Sequence, residues 1–283
     1  MSGGDDIYRK VQAWARSEAA KTGRPTPTAE YLTRHMLESF LDRLTRTRHA
    51  QDFVLKGGIL LASYGVRRPT KDLDAEAISA DITAEYLTQV VRDIVAVDVD
   101  DGVDFDVTTI TVREIREQAE YPGLRLRMKA SIGSWVGVAA WDISTGDPIV
   151  PQPEVIGIPR VLGGEIEILA YRPETTVAEK GVTILERGTT STRWRDYVDI
   201  VQLFTHHQID RAQLLVSARA VARYRGVALG PIAPGVIGYG AVAQQKWAAW
   251  RRKEGLEDIS EASLDSQMEL VSSYLDPVFS NGE

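Results

Sequence analysis

Asp72 and Asp74 stand two positions apart where an apolar segment, Leu73 to Ile78, reads as a strand. In extended chain that spacing sends both side chains to one face, where two carboxylates can ligate one hard cation. Such a pair is common, and taken alone it is better read as two solvated carboxylates at a strand start. What precedes it adds meaning. Phe53-Val54-Leu55-Lys56 reads as a short strand running into Gly57-Gly58, and Ile59 to Tyr64 reads as a helix that starts on those glycines. Backbone N–H groups at Gly57 and Gly58 then face outward, where phosphate can be cradled. Arg68 and Lys71 lie between this turn and the aspartates. Phosphate-binding glycines beside metal-binding carboxylates point to phosphoryl chemistry.

Two-metal phosphoryl transfer needs ligands for both the attacking and the leaving oxygen, so a third carboxylate is expected. Asp142 is the candidate, because it interrupts the apolar strand Val138-Ala139-Ala140-Trp141-Asp142-Ile143, where a carboxylate is costly unless paired or metal-bound. The competing reading is a strand-end cap for the turn at Ser144 to Asp147. Asp104 and Asp106 also alternate, but Asp98, Asp100 and Asp101 beside them make that region read as a solvated acidic edge. Further on, Lys180 lies on the helical segment Pro173 to Arg187, and Asp196 and Asp199 are three apart on the next. Residues at that spacing share a helical face, so one aspartate can orient a lysine or arginine that meets a triphosphate. An inter-helix salt bridge explains the same pattern.

The elements that must position these residues can be read from periodicity. Two helices span Asp5 to Arg46, broken at Pro25 and Pro27. The strand, helix and strand already described follow, and then a helix from Ile82 to Val95 with Asp81 as its N-cap. Period-two patterning marks strands at Val103–Val112, Leu124–Ile132 and Val136–Ile143, the last two joined as a hairpin at Gly133-Ser134. Prolines 148, 151, 153 and 159 with glycines 157, 163 and 164 mark a connection rather than a core element. After a short strand, Glu165 to Ala170, the chain reads as helices at Pro173–Arg187, Arg195–His206, Arg211–Arg223, Val242–Arg252 and Ser260–Tyr274. The expected class is α+β: a mixed sheet flanked by helices over residues 1–160, followed by a mainly helical domain over 161–283.

Composition bounds the chemistry. The 283 residues are 43% hydrophobic and 26% charged, as in ordinary folded proteins. There is no cysteine, and the four histidines lack zinc-ligand spacing, so a metal would be a hard cation on oxygen, with magnesium the first choice. No apolar run is long enough for a bilayer and no signal peptide is evident, so a cytoplasmic protein without membrane contact is expected. The net charge of −7 argues against indiscriminate nucleic-acid binding, although the stretch from Lys180 to Arg225 is locally basic and reads either as a phosphate-binding face or as solvated helix surface. Trp247 and Trp250, beside Lys246, Arg251, Arg252 and Lys253, could stack on bases, but at helical spacing with alanines they read more readily as core packing.

In combination these residues resemble the AbiEii family of nucleotidyltransferase toxins, the enzyme half of type IV toxin–antitoxin systems. The resemblance rests on Lys56-Gly57-Gly58, then Arg68, Thr70, Lys71, Asp72 and Asp74, then Asp142, Lys180, and the series Arg193, Asp196 and Asp199. It implies transfer of a nucleoside monophosphate from a nucleoside triphosphate (NTP) to a hydroxyl, with the 3′ end of tRNA as acceptor, translation blocked as the result, and a cognate antitoxin as partner. It also implies roles. Asp72, Asp74 and Asp142 ligate Mg2+, Lys56, Gly57, Gly58, Arg68, Lys71 and Asp196 serve the nucleotide, and Lys180 oriented by Asp199 neutralises phosphate. Members of the wider DNA polymerase beta-like nucleotidyltransferase superfamily often carry Gly-Ser at the phosphate turn, whereas this chain has Gly57-Gly58-Ile59 and lacks that hydroxyl. A phosphoryl group on Thr70 would place charge beside Asp72 and inhibit. A protein or small-molecule acceptor, or a regulatory module that binds nucleotide without turnover, would use the same residues.

Overall fold

Seven strands make one mixed sheet with helices flanking it, in a computed structural model that describes residues 3–23, 27–66, 70–79, 82–115 and 123–280. The chain divides into two compact units. The first comprises Met1–Ser63, Pro69–Gly146 and Glu154–Ala170, and the second Tyr64–Arg68, Asp147–Pro153 and Tyr171–Glu283.

In the first unit the elements run α1 (Gly3–Thr22), α2 (Thr28–Thr45), β1 (Phe53–Lys56), α3 (Gly57–Ser63), β2 (Leu73–Ala77) and α4 (Ala84–Val95). They continue with β3 (Asp104–Ile115), β4 (Gly123–Ile132), β5 (Trp135–Thr145), β6 (Glu154–Pro159) and β7 (Glu165–Ala170). Strand order is β3-β4-β5-β2-β1-β7-β6. The β2/β5 and β1/β7 pairs are parallel and the others antiparallel, the mixture expected from a chain that alternates hairpins with helical crossovers. Alternation sorts the two faces of the central strands. Leu126, Met128, Trp141, Ile143, Leu73 and Ala75 are buried, while Arg125, Arg127, Val138, Ala140, Asp142 and Asp74 are at least partly exposed. Phe40 of α2 and Phe53 of β1 each meet Trp141 edge to face, so an aromatic cluster anchors the strand next to Asp142.

Two local expectations are corrected. The segment read as a proline-rich connection contains β6, an edge strand that pairs along its length with β7. Proline is tolerated at an edge, where an N–H can be lost from the ladder, so the prolines did not exclude a strand. The helix expected from Ile82 begins at Ala84, with Thr83 as N-cap accepting from the Tyr86 N–H at 3.1 Å. Asp81 lies outside the described residues. The sheet includes Glu165–Ala170, which the sequence division at residue 160 assigns to the helical part.

The second unit is helical: α5 (Pro173–Arg187), α6 (Trp194–His206), α7 (Arg211–Tyr224), α8 (Tyr239–Glu254) and α9 (Leu264–Phe279). Pro173 opens α5, where its missing N–H costs nothing. Trp247 is fully buried, with its indole N–H on the Glu261 carbonyl, as core packing requires. Among the described residues no helix is long and apolar enough to cross a membrane.

Candidate functional site

Register places the site. Lys56 pairs across the ladder with Asp74, Asp74 with Asp142, and Asp142 with Arg125. Residues paired directly across adjacent strands point to the same face, so one row carries these four charges over β1, β2, β5 and β4. Gly57 follows β1 and opens α3 with φ of 70°, a left-handed conformation that glycine adopts without penalty. A methyl group at Gly57 would run into the Asp74 carboxylate, so the turn and the aspartate are fitted to each other. Gly58 follows as a buried residue of α3.

The charges of the row are engaged. Lys56 Nζ donates to Glu76 Oε2 at 2.8 Å, and the Ser144 hydroxyl donates to the same oxygen at 2.7 Å. Glu76 is 1% exposed, and both contacts help to make a carboxylate tolerable there. Arg125 grips Asp142 with two parallel bonds, Nε to Oδ1 at 2.6 Å and Nη2 to Oδ2 at 2.5 Å. The bond to Asp142 raises the Arg125 pKa; partial burial opposes this, and the nearby negative charges of Asp142, Asp72 and Asp74 add to the rise. Neither Glu76 nor Arg125 is among the residues expected from sequence. Both carry the same signal: Asp72-Leu73-Asp74-Ala75-Glu76 and Arg125-Leu126-Arg127-Met128-Lys129 alternate charged with apolar residues, the mark of a strand with one functional face.

Asp72 precedes β2 and borders a cleft of about 460 Å³, together with Thr70 and Lys71 from the same segment, Glu30 and Thr33 of α2, and Arg125 and Arg127 of β4. The Thr70 hydroxyl donates to the Asp72 carbonyl at 3.1 Å. Burial raises the Glu30 pKa, and the positive charge of Lys71 partly offsets that. Arg68 lies outside the described residues.

Lys180, Asp196 and Asp199 form their own cluster in the second unit. Lys180 Nζ contacts Asp196 Oδ1 at 2.5 Å and Asp199 Oδ2 at 3.0 Å, while Arg193 Nε contacts Asp196 Oδ2 at 2.6 Å. Burial would raise the Asp196 pKa, but Lys180 and Arg193 outweigh it and hold the carboxyl well below its ordinary range. Of the basic residues that gave this region its positive balance, Lys180 and Arg193 are paired here, Arg195 is paired with Glu254, and Arg225 is buried against Asp147. The helical region therefore presents less open positive charge than its sequence suggests.

Comparison with known proteins decides the family. A family model described as the nucleotidyl transferase AbiEii toxin of type IV toxin–antitoxin systems matches residues 39–270. The chain belongs to the AbiEii family. Among solved structures the chain is similar to JHP933 from Helicobacter pylori, with a TM-score of 0.51 and 13% identity over 90% of this chain and 93% of that one. It is also similar to an H. pylori protein assigned as a candidate nucleotidyltransferase, with a TM-score of 0.50 and 14% identity over 89% of this chain and 95% of that one. No relative was found among curated proteins. At these identities the structures speak for the fold, and the AbiEii match for the class: a nucleotidyltransferase, with an NTP as substrate and an antitoxin as partner.

For an AbiEii enzyme the donor chemistry of Asp72, Asp74 and Asp142, all carboxylate oxygen, fits a hard divalent cation. Among the described residues, however, no three such groups are gathered closely enough to hold one. Both oxygens of Asp142 instead face the Arg125 guanidinium.

Proposed function

We propose that the chain transfers a nucleoside monophosphate from an NTP to the terminal hydroxyl at the 3′ end of tRNA, releasing pyrophosphate and blocking translation. The observation that supports this best is the in-register pair of Asp74 and Asp142 on neighbouring strands, with Gly57 fitted against Asp74. Asp72, Asp74 and Asp142 are the residues that would hold magnesium. When bound, the ion supplies charge neutralisation on the triphosphate and helps to orient the reacting oxygens.

The rest of the reaction falls to side chains. Backbone N–H groups of Gly57 and Gly58 are assigned to the phosphates, and Lys56, Lys71 and Arg68 supply positive charge. The acceptor oxygen forms a bond to the α-phosphorus while the bond to the bridging oxygen breaks, and the hydroxyl proton passes to Asp142. Lys180, oriented by Asp196 and Asp199, is assigned the neutralisation of phosphate charge. The direct test is Asp72→Ala, assayed with labelled NTPs, magnesium and tRNA. Transfer should disappear while the melting temperature changes little, because Asp72 precedes the strand and is partly exposed. Retained transfer would sink the assignment.

A further inference from the structure

We infer that the cleft beside Asp72 holds the last phosphodiester of a single-stranded acceptor, and that Arg125 couples its arrival to the release of Asp142. The inference rests on the transfer reaction proposed above and concerns the acceptor side of the same site. Asp74 lies between two neighbours in the sheet: Lys56, which leads into the Gly57 turn, on the β1 side, and Asp142 on the β5 side. An NTP seated on the glycine turn leaves the β5 side for the attacking hydroxyl, since attacking and leaving oxygens lie roughly in line. The cleft opens on that side, with Arg125 and Arg127 on β4 and Ala140 on β5.

Its chemistry suits a phosphate followed by a nucleoside. Arg125 and Arg127, two apart on a strand, project on one face about 7 Å from each other. Arg127 is exposed and forms no ion pair among the described residues. Lys71 adds positive charge, and Ala140 offers a small apolar contact for a sugar or base. Guanidinium groups match the planar, two-oxygen geometry of phosphate. A hydroxyl on a protein side chain would bring no phosphate for them.

Arg125 also occupies both oxygens of Asp142, the carboxylate assigned to take the acceptor's proton. A phosphodiester in the cleft gives Arg125 an equivalent partner, so it can leave Asp142 without losing two charge-assisted bonds. Asp142 then accepts the hydroxyl proton as the new phosphorus–oxygen bond forms and pyrophosphate departs. Without an acceptor Asp142 stays engaged, and water is a poor competitor for the NTP.

The test uses the full chain and a fluorescent eight-nucleotide RNA with a free 3′ hydroxyl, alongside the same RNA with a neutral methylphosphonate as its last linkage. Binding is read by anisotropy over a range of salt, with binding of a fluorescent NTP and the melting temperature measured in parallel. Arg127→Ala should weaken RNA binding about tenfold and reduce the slope of log affinity against log salt by about 0.7, with NTP binding unchanged. The neutral linkage should cost the wild-type protein a similar factor and cost Arg127→Ala almost nothing more. Arg125→Ala should raise pyrophosphate release in the absence of acceptor, an effect that a merely structural arginine would not produce, and Arg125→Lys should restore part of the restraint. Wild-type RNA affinity and salt slope in Arg127→Ala, or no RNA binding by the wild-type protein, would overturn the acceptor site. Unchanged acceptor-free release in Arg125→Ala would overturn the coupling. Failure of the transfer reading itself looks different, because NTP binding or transfer to any acceptor would then be missing in the wild-type protein.

Discussion

Asp74 is positioned by what it touches as much as by the strand that carries it. Its carboxylate fills the space that a side chain at Gly57 would need, and Gly57 itself has positive φ. Gly57→Ala therefore carries two penalties, a strained backbone and a displaced carboxylate. The strain alone costs about 1–3 kcal/mol, and a shift of about 1 Å in a reacting group reduces rate about a hundredfold. Chemical denaturation and transfer kinetics on the same preparation should show both losses; a variant with full activity would mean that Asp74 tolerates displacement and is not a reacting group. Gly57, Asp72 and Asp74 are candidates that the sequence alone offers, because they cluster along the chain. Glu76 and Arg125 were not singled out, because what makes them matter is lateral. Glu76 meets Lys56 across an antiparallel pair, and Arg125 meets Asp142 across a hairpin whose register no single segment reveals.

Between elements, the ion cluster that joins α5 to α6 shows how a pattern can be read correctly and still leave its purpose open. The spacing of Asp196 and Asp199 placed them on one face, and both reach Lys180. Asp196 is 3% exposed, so removing its charge takes from the largely buried Lys180 one of its carboxylates, Asp199 remaining, and leaves the part-exposed Arg193 without its partner. Losing hydrogen bonds to a charged group costs about 1.5–3 kcal/mol, and Asp196→Asn should lose an amount of that order. The pH dependence has a definite sign. A carboxyl whose folded pKa is depressed contributes fully above its unfolded value, about 3.9, and the contribution is lost as pH falls from there through the folded value. Wild-type stability should thus decline below about pH 4 more steeply than that of Asp196→Asn, which urea titrations at pH 3 and pH 7 would reveal; parallel declines would remove the ion pair from the account. Strong periodicity made α5, α6 and the β4–β5 hairpin legible to within a few residues, and weak periodicity hid β6. An edge strand that buries little and carries glycine and proline lacks the alternation by which strands are recognised.

At the scale of the molecule, the two compact units are not two consecutive lengths of chain. The helical unit includes Tyr64–Arg68 and Asp147–Pro153, both contributed from within the stretch that builds the sheet. These pieces supply internal partners. Arg225 of the α7 C-cap is 7% exposed and held by Asp147 through bonds of 3.0 and 2.5 Å. The Thr175 and Ser217 hydroxyls both donate to the Val150 carbonyl, and His207 Nε2 contacts the Tyr64 carbonyl at 2.7 Å. A fragment of residues 171–283 keeps every long helix of the unit but loses all of these contacts, and it leaves the Arg225 guanidinium with Thr183 and the more distant Glu179 and Glu186 but without the two short bonds to Asp147. That single loss costs about 1.5–3 kcal/mol, a sizeable share of the roughly 5–15 kcal/mol that holds an ordinary domain together. The fragment should therefore be helical by far-ultraviolet circular dichroism yet melt without a sharp transition. Asp147→Ala in the full chain should lose stability of the same order while the helices still form. A sharp, reversible melt of the isolated fragment would mean that α5 to α9 carry their own core and that the inserted segments only decorate it. A broad one would place the unit's cooperativity in Asp147–Pro153, a segment that the sequence presents only as a proline-rich connection.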